Sequence, residues 1–160
     1  MMKKSIATLA TVLLLWTTTA EAKTAPEFID VTDRVTEFVR QSEVQHGFAV
    51  VYSRHTTAAI AIQENEPLLL EDMTSMLERL SPRNAHYRHN DFSVRTVHMH
   101  ENECPNGHSH CQHLTLGTSE TVPISQGKLT LGQWQRIFMV ELDAEAPSPY
   151  REVLVQILGV

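Results

Sequence analysis

Apolar residues in the first third of the chain recur at the spacing of a helix. Val35, Phe38 and Val39 stand at positions i, i+3 and i+4, which places them on one helical face. Thr32 can cap the start of this helix, and Gly47 can end it in a left-handed conformation. The pattern therefore predicts a helix between these two residues.

The next apolar stretches are continuous and do not alternate with polar residues. Phe48–Tyr52 and Ala58–Ile62 are therefore predicted to be strands that are covered on both faces. Pro67 suits the first turn of a second helix, which Ser81 and Pro82 should end. The predicted apolar stripe of this helix consists of Leu69, Met73, Met76, Leu77 and Leu80.

A polar segment separates this helix from a series of strand-like runs. Arg83–Pro105 is rich in His and Asn and is predicted to be mainly loop, with a short strand over Val94–Val97. A β-meander is then predicted from the runs Thr121–Ile124, Leu129–Leu131, Arg136–Leu142 and Glu152–Leu158. Strands in hairpin order with two or three helices predict an α+β fold, a compact single domain with an antiparallel or mixed sheet.

The beginning of the chain has the features of an export leader. Lys3 and Lys4 precede the short apolar run Ile6–Trp16, and a small-x-small pattern ends at Ala22. We therefore predict a signal peptide over residues 1–22, cut after Ala22, and a single periplasmic or secreted domain over 23–160. An uncleaved N-terminal anchor is the alternative, although the run is short for a membrane span.

The overall charge restricts the kind of partner. The formal net charge is -6, and the chain has no Lys/Arg cluster. Long-range electrostatic binding to nucleic acid or to anionic lipid is therefore not expected, and no membrane association is expected once the leader is removed.

The segment Asn106–His113 contains His108, His110 and His113 within six residues. Neutral imidazole is the commonest metal ligand in proteins, so this segment is predicted to form one wall of a site. If the segment is helical, His110 and His113 share a face; if it is extended, His108 and His110 do. The spacing matches none of the specific zinc motifs.

Two cysteines enclose the first part of this histidine-rich segment, Asn106–His110. Cys104 and Cys111 enclose a short loop, and in an oxidising compartment a disulfide is the expected state. Thiolate ligation of a metal and free thiols are the alternatives. A disulfide here would also hold His108 and His110 in fixed directions.

Other residues with possible chemistry stand at the ends of predicted elements. They are His55, Glu64, Asn65, Glu66, Asp72, His86, His89, Glu141 and Asp143. Each also has a structural interpretation, as a hydrogen-bonded histidine, a helix cap or a solvated charge. Together they indicate a site at the end of one sheet.

Short motifs run in order through nearly all of residues 23–160. They are His55-Thr56-Thr57-Ala58, Glu64-Asn65, Pro67, Asp72-Met73, His89-Asn90, Ser109-His110, Leu116-Gly117-Thr118-Ser119, Pro123, Gly127-Lys128-Leu129, Leu131-Gly132-Gln133-Trp134-Gln135-Arg136-Ile137 and Glu141. The series resembles the YjbQ family, a group described as secondary thiamine-phosphate synthases, and Gly127–Ile137 is its most distinctive part.

This resemblance implies a homotrimer of α+β subunits with sites near the subunit boundaries. It also implies a divalent metal ion, zinc or magnesium, and a weak ability to join a pyrimidine pyrophosphate to a thiazole phosphate. By resemblance the metal ligands are His55, His89 and His110. The candidate catalytic residues are Glu64, Asp72, Glu141 and Gln135. Gln135 could instead hold the end of the sheet, and Trp134 is expected in the core or in an interface.

Three functions remain open on the sequence. The first is the metal-dependent synthase, acting on a small phosphorylated molecule. The second is a periplasmic zinc-dependent hydrolase of a phosphorylated or ester substrate, because zinc held by three histidines can activate water. The third is a non-catalytic protein that binds metal or a small anion.

Overall fold

The computed structural model describes residues 10–19, 25–148 and 150–160. The chain forms an α+β fold, as predicted, with three α-helices packed on antiparallel sheets. The helices are α1 (Thr32–Ser42), α2 (Pro67–Leu80) and α3 (Gly107–Leu116). The strands are β1 (Ala10–Thr19), β2 (Glu27–Asp30), β3 (His46–Ser53), β4 (Ala58–Gln63), β5 (Ser119–Ser125), β6 (Lys128–Leu129), β7 (Arg136–Glu141) and β8 (Tyr150–Gly159).

The strands form two sheets whose order is not that of a meander. One sheet has the order β1-β8-β3-β5-β6, and the other has the order β2-β7-β4. The predicted meander is therefore wrong beyond the hairpin of β5 and β6, because β7 lies between β2 and β4 and β8 lies between β1 and β3. Residues 137–141 of β7 are all buried, which suits the central position of that strand.

Two apolar clusters hold these layers together. The larger cluster joins α1 to both sheets and includes Val35, Val39, Ile60, Met139 and Val155. A smaller cluster lies under α2 and α3 and is built from Ala59, Leu77, Phe138, Val140 and Leu142. Since alternate residues of β7 contribute to the two clusters, both faces of this strand are covered.

Helix α1 ends earlier than predicted. Its last residue is Ser42, and Glu43, in the left-handed region at φ 59°, follows it. Gly47 does not end the helix, because it belongs to β3. Nor does Thr32 act as the cap: its N–H donates to Asp30 Oδ1 at 2.9 Å, and its hydroxyl accepts from the N–H of Ile137 at 2.7 Å.

Several predicted faces are more exposed than expected. Strand β3 is covered on one face only, since Phe48 and Tyr52 are 42% and 40% exposed. On α2 only Leu77 of the predicted stripe is fully buried, and Leu80 lies at the surface. The polar loop contains a single 3-10 turn at Arg88–Asn90, and Val94–Val97 forms no strand.

The predicted leader overlaps with a strand of the larger sheet. Strand β1 lies within residues 1–22 and pairs with β8 along its whole length. Cleavage after Ala22 stays a prediction. Among the described residues no helix is both long and apolar enough to cross a membrane.

Candidate functional site

The candidate site lies where the end of β7, the start of β8, the first turns of α3 and the Arg88–Asn90 turn meet. Two hydrogen bonds fix α3 here: Gly107 N–H donates to Asn90 Oδ1 at 2.8 Å, and Ser109 Oγ donates to the carbonyl of Leu142 at 2.6 Å. Gly107 permits this approach, since a Cβ there would lie 2.6 Å from Cβ of Tyr87. The helical alternative for the histidine segment is therefore the one that forms.

His89 and His110 are brought face to edge at this point. Their ring centroids are 4.7 Å apart with an angle of 69° between the planes. Within the described part of the chain, neither ring makes a hydrogen bond. Burial lowers the pKa of His110, and the neighbouring His89 lowers it further. A neutral His110 has a nitrogen lone pair available for a metal ion.

A buried carboxylate, Asp143, stands close to this pair. Its Oδ2 accepts from Asn106 Nδ2 at 2.8 Å, and its Oδ1 accepts from the N–H of Glu145 at 3.2 Å. Among the described residues no cationic side chain forms an ion pair with it. Its negative charge acts against the lowering of the pKa of His110. The sequence placed Asp143 at a strand end but gave no sign of its burial.

Glu141 is fully engaged by a buried arginine. Glu141 and Arg151 are 1% and 6% exposed, and the guanidinium binds both carboxylate oxygens, with Nη2 2.8 Å from Oε1. The N–H of Asp143 also donates to Glu141 Oε1 at 2.9 Å. Through these bonds, Glu141 fixes the conformation of the chain at the end of β7. Its catalytic role stays a prediction.

His55 lies near this ion pair, beside the start of β8. Its Nε2 accepts the N–H of Glu152 at 2.7 Å, which requires that nitrogen to be unprotonated. Burial lowers the pKa of His55, and the Arg151 guanidinium lowers it further. In the described residues of this chain, no three His, Cys, Asp or Glu side chains form a cluster that could hold a metal ion. His55, His89 and His110 therefore form no such cluster there, and the role of His55 as a metal ligand stays a prediction.

The remaining candidate residues lie elsewhere. Glu64 follows β4 at the end where Gln63 pairs with Arg136, whereas Glu141 pairs with Ala58 at the opposite end. The length of β7 separates these ends by roughly 17 Å at about 3.4 Å per residue. Asp72 is exposed on α2.

Gln135 and Trp134 precede β7 at the same end as Glu64. Gln135 Oε1 accepts the N–H of Gly132 at 2.8 Å, which favours the interpretation that it holds the end of the sheet. Trp134 is 65% exposed and is not part of the core of this chain. An interface is the remaining prediction for its role.

His108 and His113 are packing residues of α3. His108 is buried and its Nε2 lies 3.2 Å from Ser109 Oγ, while Nδ1 of His108 and Nε2 of His113 have no hydrogen-bond partner among the described residues. Burial lowers the pKa of both rings. Neither adds to the His89 and His110 pair.

A cavity of about 370 Å³ opens beside Asp143. It is lined by His100, Asn102, Glu103, Cys104, Asn106 and Pro147. This volume lies within the range of small-molecule sites. Asn106, which binds the Asp143 carboxylate, is one of its walls.

The predicted disulfide is not formed in the structure, and both cysteines are free. Cys104 Sγ lies 3.6 Å from Asp143 Oδ2, whereas Cys111 is exposed on α3. The two sulfurs therefore lie in different surroundings. Burial, with the Asp143 carboxylate, raises the pKa of the Cys104 thiol to about 11.

We expect Cys104 to be alkylated at least about tenfold more slowly than Cys111 in the folded protein at pH 8. At that pH a thiol with a pKa of about 11 is only about one part in a thousand thiolate, the reactive form. Mass mapping of iodoacetamide-labelled peptides measures both rates, and Asp143→Asn should accelerate Cys104 alone. Equal alkylation rates for the two cysteines in the folded parent protein would contradict this expectation. It would also be contradicted if neither cysteine could be alkylated after the protein is unfolded without reductant.

Comparison with known proteins gives a consistent family match. The family described as "UPF0047 protein YjbQ-like" matches residues 17–160. A UPF0047 protein of Methanothermobacter thermautotrophicus is 42% identical over 117 residues, 73% of this chain and 74% of the relative. The UPF0047 protein YugU of Bacillus subtilis is 33% identical over 118 residues, 73% of this chain and 80% of the relative.

Solved structures share the fold over nearly the whole chain. A Sulfolobus solfataricus protein, described as YbjQ-like and of unknown function, is similar with a TM-score of 0.83 and 29% identity, over 96% of this chain and 100% of that one. A hypothetical protein of Aeropyrum pernix has a TM-score of 0.78 and 32% identity, over 93% and 99%. The match to the Sulfolobus structure leaves out only about six residues of this chain. Because the predicted leader is longer than that, the match includes part of the leader.

Proposed function

This chain belongs to the YjbQ-like UPF0047 family, and from that membership we propose that it is a metal-dependent enzyme acting on a small phosphorylated molecule. The activity implied by the sequence resemblance is thiamine-phosphate synthesis from a pyrimidine pyrophosphate and a thiazole phosphate. One observation carries the proposal: the rings of His89 and His110, which make no hydrogen bond to the described residues, stand 4.7 Å apart, centroid to centroid.

The chemistry of the pair favours zinc over magnesium. Imidazole nitrogen is a common zinc ligand, whereas magnesium is held mainly by oxygen. Two imidazoles leave further coordination positions for substrate oxygens, water or a ligand from another subunit. A bound divalent ion would stabilise the negative charge of a leaving pyrophosphate.

The protein's own residues around the pair have distinct roles in this proposal. Asp143 places negative charge near His110, which favours a cation there. The amide of Asn106 orients Asp143 and also lines the cavity, where it can donate to a phosphate oxygen. The Glu141 and Arg151 pair fixes the backbone that carries Asp143.

We extend the proposal to a homotrimer. Trp134 and Leu114 are 65% and 84% exposed, and homo-oligomer interfaces cover such side chains. Glu64 and Gln135 lie at the end of the small sheet away from the histidine pair. In a trimer with sites at subunit boundaries, these residues could act on the site of a neighbouring subunit.

The direct test is the metal content of the purified protein. We expect His110→Ala and His89→Ala each to lower bound zinc per subunit at least about tenfold after dialysis, because each removes a coordinating nitrogen. His98→Ala, in the exposed loop, is the matched control and should leave zinc unchanged. Elemental analysis and far-ultraviolet circular dichroism measure metal and folding on the same samples.

Unchanged zinc in His110→Ala, or an equal loss in His98→Ala, would contradict the metal site. The metal-loaded protein is then incubated with the pyrimidine pyrophosphate with and without the thiazole phosphate. Product formed only with both substrates supports the synthase. Thiazole-independent release of pyrophosphate, or no turnover, would contradict it.

A further inference from the structure

Residues 10–19 have two properties that exclude one another. They lie within the predicted export leader of residues 1–22, and they also form strand β1. The strand pairs with β8 along its whole length, from Ala10 opposite Gly159 to Thr19 opposite Tyr150. Cleavage after Ala22 would separate this strand from the domain.

The side chains of β1 alternate as those of a strand covering a core do. Val12 and Leu14 are partly buried against the larger core cluster, and Leu14 stands opposite the fully buried Val155. Leu13 and Leu15, between and beyond them, are 61% and 53% exposed. This alternation is in burial and not in residue type, since residues 12–16 are all apolar; it is what strand geometry produces when one face of β1 lies against the core.

Strand β8 needs a neighbour on this side. Its other edge pairs with β3, through residues such as Val51 opposite Val155. Without β1, β8 would be a long edge strand, and many of its N–H and C=O groups would lack strand partners. Such edges promote aggregation. The family match begins at residue 17, inside β1, and the Sulfolobus structure matches this chain into the predicted leader.

We propose that Ala10–Thr19 is retained in the functional protein as strand β1, docked on the edge of β8. Removal of residues 1–22 then takes away part of the sheet and does not produce the mature fold. This inference is independent of the metal site and of the proposed activity.

Paired substitutions with opposite orientation test the proposal on the full chain. Val12→Ser with Leu14→Ser removes two inward side chains, whereas Leu13→Ser with Leu15→Ser removes two outward ones from the same apolar run. We expect the inward pair to lower the melting temperature by about 5 °C or more and the outward pair to change it by less than about 2 °C. As leaders the two variants lose similar apolar content, one Val and one Leu against two Leu, so export efficiency should fall to a similar extent.

The N-terminus of the folded protein completes the test. Intact-mass measurement of the protease-resistant protein should show residues 10–19 still attached. Equal melting temperatures for the two pairs, or folded protein found only as the chain beginning at Lys23, would overturn the proposal. If the inward pair does not fold, Val12→Ala is compared with Leu13→Ala. Val12→Ala is then expected to lower the melting temperature more than Leu13→Ala.

Discussion

Replacing Arg151 with methionine is expected to lower the free energy of unfolding by about 3 to 5 kcal/mol. Arg151 binds both carboxylate oxygens of Glu141, which is 1% exposed. Methionine retains much of the side-chain volume but leaves a buried carboxylate without its cation. The loss measures the desolvation of that charge and not the net value of the ion pair.

Two comparisons separate this effect from a general loss of charge. The double variant Glu141→Met, Arg151→Met should recover a large part of the stability, because no buried charge remains unpaired. Arg54 forms an ion pair with Glu152 at the surface, with side chains 51% and 38% exposed. Arg54→Met should therefore cost less than about 1 kcal/mol. Urea unfolding measures all three, and equal losses in Arg151→Met and Arg54→Met would contradict the expectation.

The consequences of Arg151→Met should reach the histidine pair. Arg151 lies within 3.5 Å of the carbonyl of Asp143, whose N–H donates to Glu141. The variant therefore loosens the backbone that holds Asp143 near His110. A loss of zinc affinity larger than that in Arg54→Met is the sign that this backbone supports the site.

The elements that the sequence predicted are those with strong local patterns. Apolar runs located β3, β4 and β7, and Pro67 marked the first residue of α2. Strand order could not be predicted this way, because β8 pairs with β1 and β3 through residues far apart in the chain. Strand β1 was missed because a leader and a buried strand are both apolar over short runs.

The candidate site shows the same division between local and distant contacts. The resemblance named His89 and His110, and the structure brings them together through the bond from Gly107 to Asn90. The pairing of Glu141 with Arg151 could not be predicted, since burial of a charge depends on which strands enclose it. The resemblance also grouped His55 with these two histidines, whereas in the structure its Nε2 accepts a backbone N–H.

Gly47→Ala is expected to destabilise the protein by about 3 kcal/mol, or to prevent its folding. A Cβ at Gly47 would overlap with the carbonyl oxygen of Leu158 and lie 2.6 Å from Cα of Gly159. These are backbone atoms of the paired strand β8, so no side-chain rotation relieves the overlap. Gly47 is therefore required by the close approach of two strands and not by a helix end.

Gly132→Ala is the matched control. There the nearest atom to an added Cβ is Gln135 Oε1 at 3.3 Å, the far end of a flexible side chain. Its cost should stay below about 1 kcal/mol, and soluble yield and urea unfolding compare the two variants even if Gly47→Ala folds poorly. Equal stability of the two would contradict the strand contact. A large loss of stability at Gly47 alone would show that β8 packs closely against β3. Strand β8 is also the strand whose other edge pairs with β1.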